Sequence, residues 1–168
     1  TVVCMNEIPG YTFGRTQSQS PLDAQAFEAL KQSVLFGPDD VRALRLAGEV
    51  LASQIEAILD VWYGFVGSHS HLLYYFMNAA GQPQGEYLAA VRKRFGQWIL
   101  DTCTRDYDPA WLNYQQEIGL RHHRAKKNST DQADAAEVVH LRYLIAFVVP
   151  ITLTIKPFLA NQGHSAVD

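Results

Sequence analysis

The chain has 168 residues, 48% of them hydrophobic and 18% charged, with a formal net charge of −3 before its six histidines protonate. That composition supports one domain with a hydrophobic core and excludes a disordered chain, and the near-neutral balance offers no basic surface of the kind nucleic acid requires. No unbroken apolar run nears the roughly 18 residues of a membrane span, so no transmembrane helix is expected.

The opening "TVVCMNEIPGYTFG" lacks the long apolar core of a secretory leader. The two cysteines, Cys4 and Cys103, are expected as free thiols in a reducing cytoplasm. Residues 1–22 are rich in Gly, Pro, Ser, Thr and Gln and are read as an irregular extension, which Ile8, Tyr11 and Phe13 could pin to the body. From Asp23, a plausible N-cap, the spacing Phe27, Leu30, Val34 is helical. "FGPDD" closes that helix and opens the next, with Pro38 and two acids suited to a first turn.

The next helix is expected to be long. Val41, Leu44, Ala47, Leu51, Ile55, Ile58, Trp62 and Val66 form one apolar stripe over about seven turns, ended by Gly67 and Ser68. "HSHLLYYF" reads as a short helical segment and "MNAAGQPQG" as a loop. Glu86 to Thr104 is helical, with Leu88, Val91, Phe95, Trp98, Ile99 and Thr102 on one face. Asp108 and Pro109 cap the following helix at N-cap and N1. It carries Trp111, Tyr114, Ile118 and the pair His122–His123, and runs out in "RAKKNSTDQAD". Glu137 to Leu159 reads as a last apolar helix that Pro150 and Pro157 should bend or interrupt. No period-2 strand pattern and no internal repeat stand out, so the class is all-α.

The histidine pair carries the chemical question. With Ile118 at zero and about 100° per residue, Trp111 falls near 20°, Tyr114 near −40°, His122 near 40° and His123 near 140°. His122 therefore shares the apolar face and His123 leaves it. The basic residues Arg121, Arg124, Lys126 and Lys127 suit the negative end of the helix dipole. On this helix alone, two readings of His122 stand. One is a core histidine with one hydrogen-bonded nitrogen. The other is a metal ligand with Nε2 aimed into the core and Nδ1–H donating to a carbonyl one turn back, as a haem iron needs on its proximal side. Tyr63, late in the long helix, and Phe95 are candidates to face it, and a buried Tyr63 needs a hydrogen-bond partner that a diatomic ligand could supply.

The segments "ILDVWYGFVGSHSHLLYYF", "EYLAAVRKRFGQWILDTC", "WLNYQQEIGLRHHRAKKN" and "RYLIAFVVPITLTIKPFLANQGH" together resemble the protoglobins, single-domain haem proteins related to the globin domain of globin-coupled sensors. The resemblance runs from about Ile8 to His164. It implies a globin-like helical sandwich over residues 23–168, an N-terminal extension over residues 1–22 that helps bury the cofactor, haem b and a homodimer. It makes His122 the proximal iron ligand and Trp62 and Tyr63 the distal pair. Phe95 becomes the distal aromatic, Val91, Phe147 and Ile151 haem contacts, and Arg94 a neighbour of a propionate. The implied function is reversible binding of O2, CO or NO at a five-coordinate iron.

Members of that family continue past "GH" into a further long helix that contributes to the dimer interface. The sequence here stops at Asp168, so the expected fold lacks that helix, and the usual dimer surface would be incomplete. Three alternatives remain open from the residues. A haem enzyme could act on reactive oxygen or nitrogen species, or support carbene-type transfer. A gas sensor could signal through a separate partner. A zinc site or plain helical module could use "SHSH" (His69, His71), although those histidines read better as part of a polar turn.

Overall fold

The computed structural model describes residues 8–15 and 17–160. Among them the chain is helical, and the only β pairing is an isolated bridge between Met77 and Pro83 in the loop read as "MNAAGQPQG". The helices are α1 (Ala24–Ser33), α2 (Pro38–Leu51), α3 (Ile55–Gly67), α4 (Ser70–Leu73), α5 (Gly85–Thr104), α6 (Pro109–Arg121), α7 (Leu141–Ala146) and α8 (Val148–Ala160). Short 3-10 turns occupy Ala52–Gln54 and Tyr74–Phe76.

Local chemistry explains most of the boundaries. Asp23 caps α1 by accepting from the Ala26 amide at 2.8 Å. Pro38 stands in the first turn of α2, and Asp40 reaches back to the Gly37 amide at 2.7 Å. Asp108 accepts from the Trp111 amide at 2.9 Å ahead of Pro109.

Two expected helices are each divided. The stripe from Val41 to Val66 is broken at Ala52–Gln54, where no Pro or Gly announces it. There the Gln54 side-chain amide donates to the carbonyls of Val50 (2.8 Å) and Phe158 (3.0 Å), so a side chain holds the bend that separates α2 from α3. The last helix begins at Leu141 instead of Glu137, because the Val139 amide is spent on the His122 carbonyl at 2.8 Å. It breaks at Phe147, between α7 and α8. Pro150 has no amide to donate to the Ala146 carbonyl and its ring crowds that oxygen. Pro157, by contrast, lies inside α8 without ending it.

The core lies where α3 and α5 cross beneath α8. Leu51, Ile58 and Ile99 form one buried cluster, joined by Ile155, Phe158 and Leu159 of α8. Trp62, Val66 and Leu72 form a second, joined by Tyr63, Phe76, Tyr143, Phe147 and Ile151. Phe95 touches both. Gly96 permits the close crossing: a Cβ there would lie 2.9 Å from Ile55 Cγ2 and 3.1 Å from Leu59 Cδ1.

The segment before α1 is fastened to α5 and α6. Tyr11 donates to Asp101 at 2.6 Å, and Phe13 meets Tyr114 edge-on at 5.1 Å. Arg94 and Arg121 donate to the Pro9 carbonyl (2.8 Å) and the Thr12 hydroxyl (3.0 Å). Cys103 is a free, buried thiol, while Cys4 lies outside the described residues.

Leu141–Ala160, the span of α7 and α8, is 20 residues long and by length and composition alone apolar enough to cross a membrane, although Arg142, Thr152, Thr154 and Lys156 interrupt its apolar run. Its inner face supplies the contacts to both core clusters, and its outer face exposes Leu141, Ile145, Val148, Val149 and Leu153.

Candidate functional site

The termination of α6 sets the imidazole. The helix ends at Arg121, and His122 is the C-cap residue, half-buried, while His123 beside it is exposed. His122 Nδ1 lies 2.9 Å from the Ile118 carbonyl oxygen. A carbonyl only accepts, so Nδ1 carries the hydrogen and Nε2 keeps its lone pair. Burial holds the His122 pKa below its ordinary value of 6.5, aided by the positive charges of Lys127 and Arg121. The ring is a neutral base at physiological pH.

His122 lines a cavity of about 360 Å³, within the range of small-molecule and cofactor sites. The structure brings all eight residues singled out from the sequence to that one cavity: Trp62 and Tyr63 from α3, Val91, Arg94 and Phe95 from α5, His122 after α6, Phe147 between α7 and α8, and Ile151 from α8. The aromatic wall is tightly knit. Trp62 meets Phe147 edge-on at 5.2 Å and Phe95 at 5.8 Å, and Tyr63 lies edge-on to Phe95 at 6.5 Å.

The Tyr63 hydroxyl makes no hydrogen bond to any described residue, and neither does that of Tyr87 at the same cavity; burial pushes the pKa of both well above that of an ordinary phenol. Each is a protonated donor without an acceptor, at the wall of an apolar space. Arg92 stands over the Tyr63 ring at 6.0 Å, itself bound to Glu56 and Asp60.

The charges at the cavity are distributed otherwise than the sequence suggested. Arg94 lines it, but its guanidinium already forms a bidentate pair with Asp131 at 2.8 and 2.5 Å. Arg121 is paired with Glu117 at 3.5 Å, and Lys126 with the other oxygen of Glu117 at 2.5 Å. Lys127 is not a solvated charge at the helix end. It is 2% exposed, lines the cavity, and donates to the Tyr75 carbonyl at 3.0 Å. Sequence reading missed Lys127, Asp131 and Tyr87 as cavity residues. The basic run "RAKK" looked like one cluster, and only the turn after His122 separates its members.

The other histidines stand elsewhere. His69 Nδ1 is within 2.8 Å of the Phe65 carbonyl and 3.0 Å of the Ser68 hydroxyl, at an exposed turn. Among the described residues no three His, Cys, Asp or Glu side chains converge as a metal site.

An all-α domain with an aromatic-walled cavity and one neutral, oriented imidazole has the architecture of a globin, and its lining suits a haem: a free imidazole nitrogen for the iron and apolar walls for the ring. The family model Protoglobin matches residues 23–168. The chain belongs to the protoglobin family, whose globin fold implies binding of haem and of small gaseous ligands. No curated protein matches the sequence.

Proposed function

We propose that this protein holds haem b with His122 Nε2 as the axial ligand and binds O2, CO or NO reversibly. One observation carries this reading: a neutral imidazole with a free Nε2 and a phenol with no acceptor line the same apolar cavity. Haem iron bonded on one side by an imidazole supplies an open sixth position for a diatomic gas.

The residues divide the work. The Ile118 carbonyl fixes the tautomer and orientation of His122. Trp62, Phe95, Val91, Phe147 and Ile151 contact the ring and exclude water, favouring a small ligand. Tyr63 donates its hydroxyl hydrogen to a bound gas molecule. A neutral hydrogen bond nets about 0.5–1.5 kcal/mol, so Tyr63 tunes retention by roughly tenfold and does not create binding. The chain acts as a homodimer, a reading supported by the exposed apolar residues on the outer face of α7 and α8.

The test is the absorption spectrum of the purified, reduced protein with and without CO, beside its mass in solution. A Soret band that moves on adding CO supports the proposal. A colourless protein that takes up no added hemin contradicts it.

A further inference from the structure

Three cations line the cavity. Arg94 is neutralised by Asp131, and Arg121 shares the one carboxylate of Glu117 with Lys126, at 3.5 and 2.5 Å. Lys127 has no carboxylate within ion-pairing distance among the described residues. Its contacts are the Tyr75 carbonyl at 3.0 Å and the face of Tyr87 at 5.2 Å. Neither neutralises an ammonium that is almost wholly withdrawn from solvent, and one acceptor leaves two of its three hydrogens unused. Burial alone drives its pKa down from 10.5 to about 8. A buried lysine left with its charge unmatched is costly, and an anion within hydrogen-bond distance would offset that cost.

The backbone places this ammonium deliberately close to the imidazole in sequence. After His122 the chain turns, with the Lys127 amide on the His123 carbonyl at 3.0 Å, and returns so that the Val139 amide meets the His122 carbonyl. One short segment thus delivers both an axial nitrogen and a lone positive charge to a single cavity.

We infer that Lys127 is the ion-pair partner of a haem propionate, and that Arg94, committed to Asp131, is not. This rests on the haem reading above and names the residue that recognises the carboxylate end of the cofactor. Lys127 is a binding residue and takes no part in gas ligation.

The experiment compares haem with haem dimethyl ester, which has no ionised carboxylate, in the loaded wild type, Lys127→Met and Lys127→Arg. The readout is the rate at which each transfers its haem to excess apomyoglobin. Lys127→Met should speed the loss of haem roughly tenfold or more, as expected for a charge-assisted bond, and Lys127→Arg should restore most of the retention. With the ester, wild type and Lys127→Met should lose cofactor at the same rate. Equal acceleration with both cofactors would assign Lys127 a packing role and overturn the inference. So would haem loss indifferent to Lys127 in a protein with a normal Soret band. Should Lys127→Met not fold, the wild type retaining ester as firmly as haem overturns it equally. A chain that takes up neither cofactor overturns the haem reading itself, and this inference with it.

Discussion

The Nδ1 of His122 lies 2.9 Å from the carbonyl oxygen of Ile118, one turn back on α6. This contact converts a helix-terminal histidine into an oriented base. The terminal carbonyls of a helix lack amide partners, and here one of them selects the tautomer that leaves Nε2 free. The adjacent His123, on the exposed side of the same turn, has no such constraint toward the cavity.

Tyr63 is the cavity phenol that donates to the gas in the proposed function. Tyr63→Phe should raise the O2 dissociation rate by up to roughly tenfold and change CO release much less, because O2 draws more on a hydrogen bond. Flash photolysis and stopped-flow measurements read both rates. Unchanged O2 release in the variant removes Tyr63 from the account.

Gly96 sets how closely α5 approaches α3. A side chain there meets Ile55 and Leu59 inside 3.2 Å, so Gly96→Val should destabilise the fold by about 1–3 kcal/mol. It should also disturb the visible spectrum, since Phe95 is the neighbouring residue. Valine is the better probe because alanine would gain about 1 kcal/mol of helix propensity and mask the clash. Urea unfolding with an unchanged m-value checks it.

The pair Arg94–Asp131 is nearly buried, with side chains 11% and 8% exposed. Asp131→Ala strands the guanidinium and should cost about 3–5 kcal/mol. Because Arg94 also holds the Pro9 carbonyl, the variant should expose the segment before α1 to proteolysis sooner than the body. Limited digestion followed by mass spectrometry distinguishes this from uniform destabilisation.

Lys127 predicts a pH dependence of the haem-free protein. Its folded pKa is about 8 against 10.5 unfolded, so between these values the unfolded chain holds the extra proton and stability rises with pH. Below pH 8 both states are protonated and the full penalty stands. The rise is at most about 1.4 kcal/mol per pH unit. Cys103 and the buried tyrosines, whose folded pKa values are raised, act in the opposite direction above about pH 9. The diagnostic is therefore wild type minus Lys127→Met, which cancels them. That difference should climb from pH 8 upward without haem and flatten when haem is bound.

Much of the site was legible because helical periodicity is a local property. The angular positions of Trp111, Tyr114, Ile118 and His122 separated the inward histidine from its neighbour before any tertiary contact was known. Asp23, Pro38, Asp108 and Pro109 likewise marked helix starts through chemistry within one turn. The break between α2 and α3 was not legible, since it depends on Gln54 reaching Phe158, far along the chain. Lys127 was hidden for a similar reason. Nothing in "RAKKN" distinguishes a lysine paired with Glu117 from one folded under Tyr75; only the turn after His122 does.

The most direct test is a hemin titration of His122→Gly with and without added imidazole, followed by reduction and exposure to CO. The account predicts that the variant loses the wild-type five-coordinate ferrous spectrum and that free imidazole restores it. A variant whose ferrous and CO spectra match the wild type without imidazole would show that another group holds the iron.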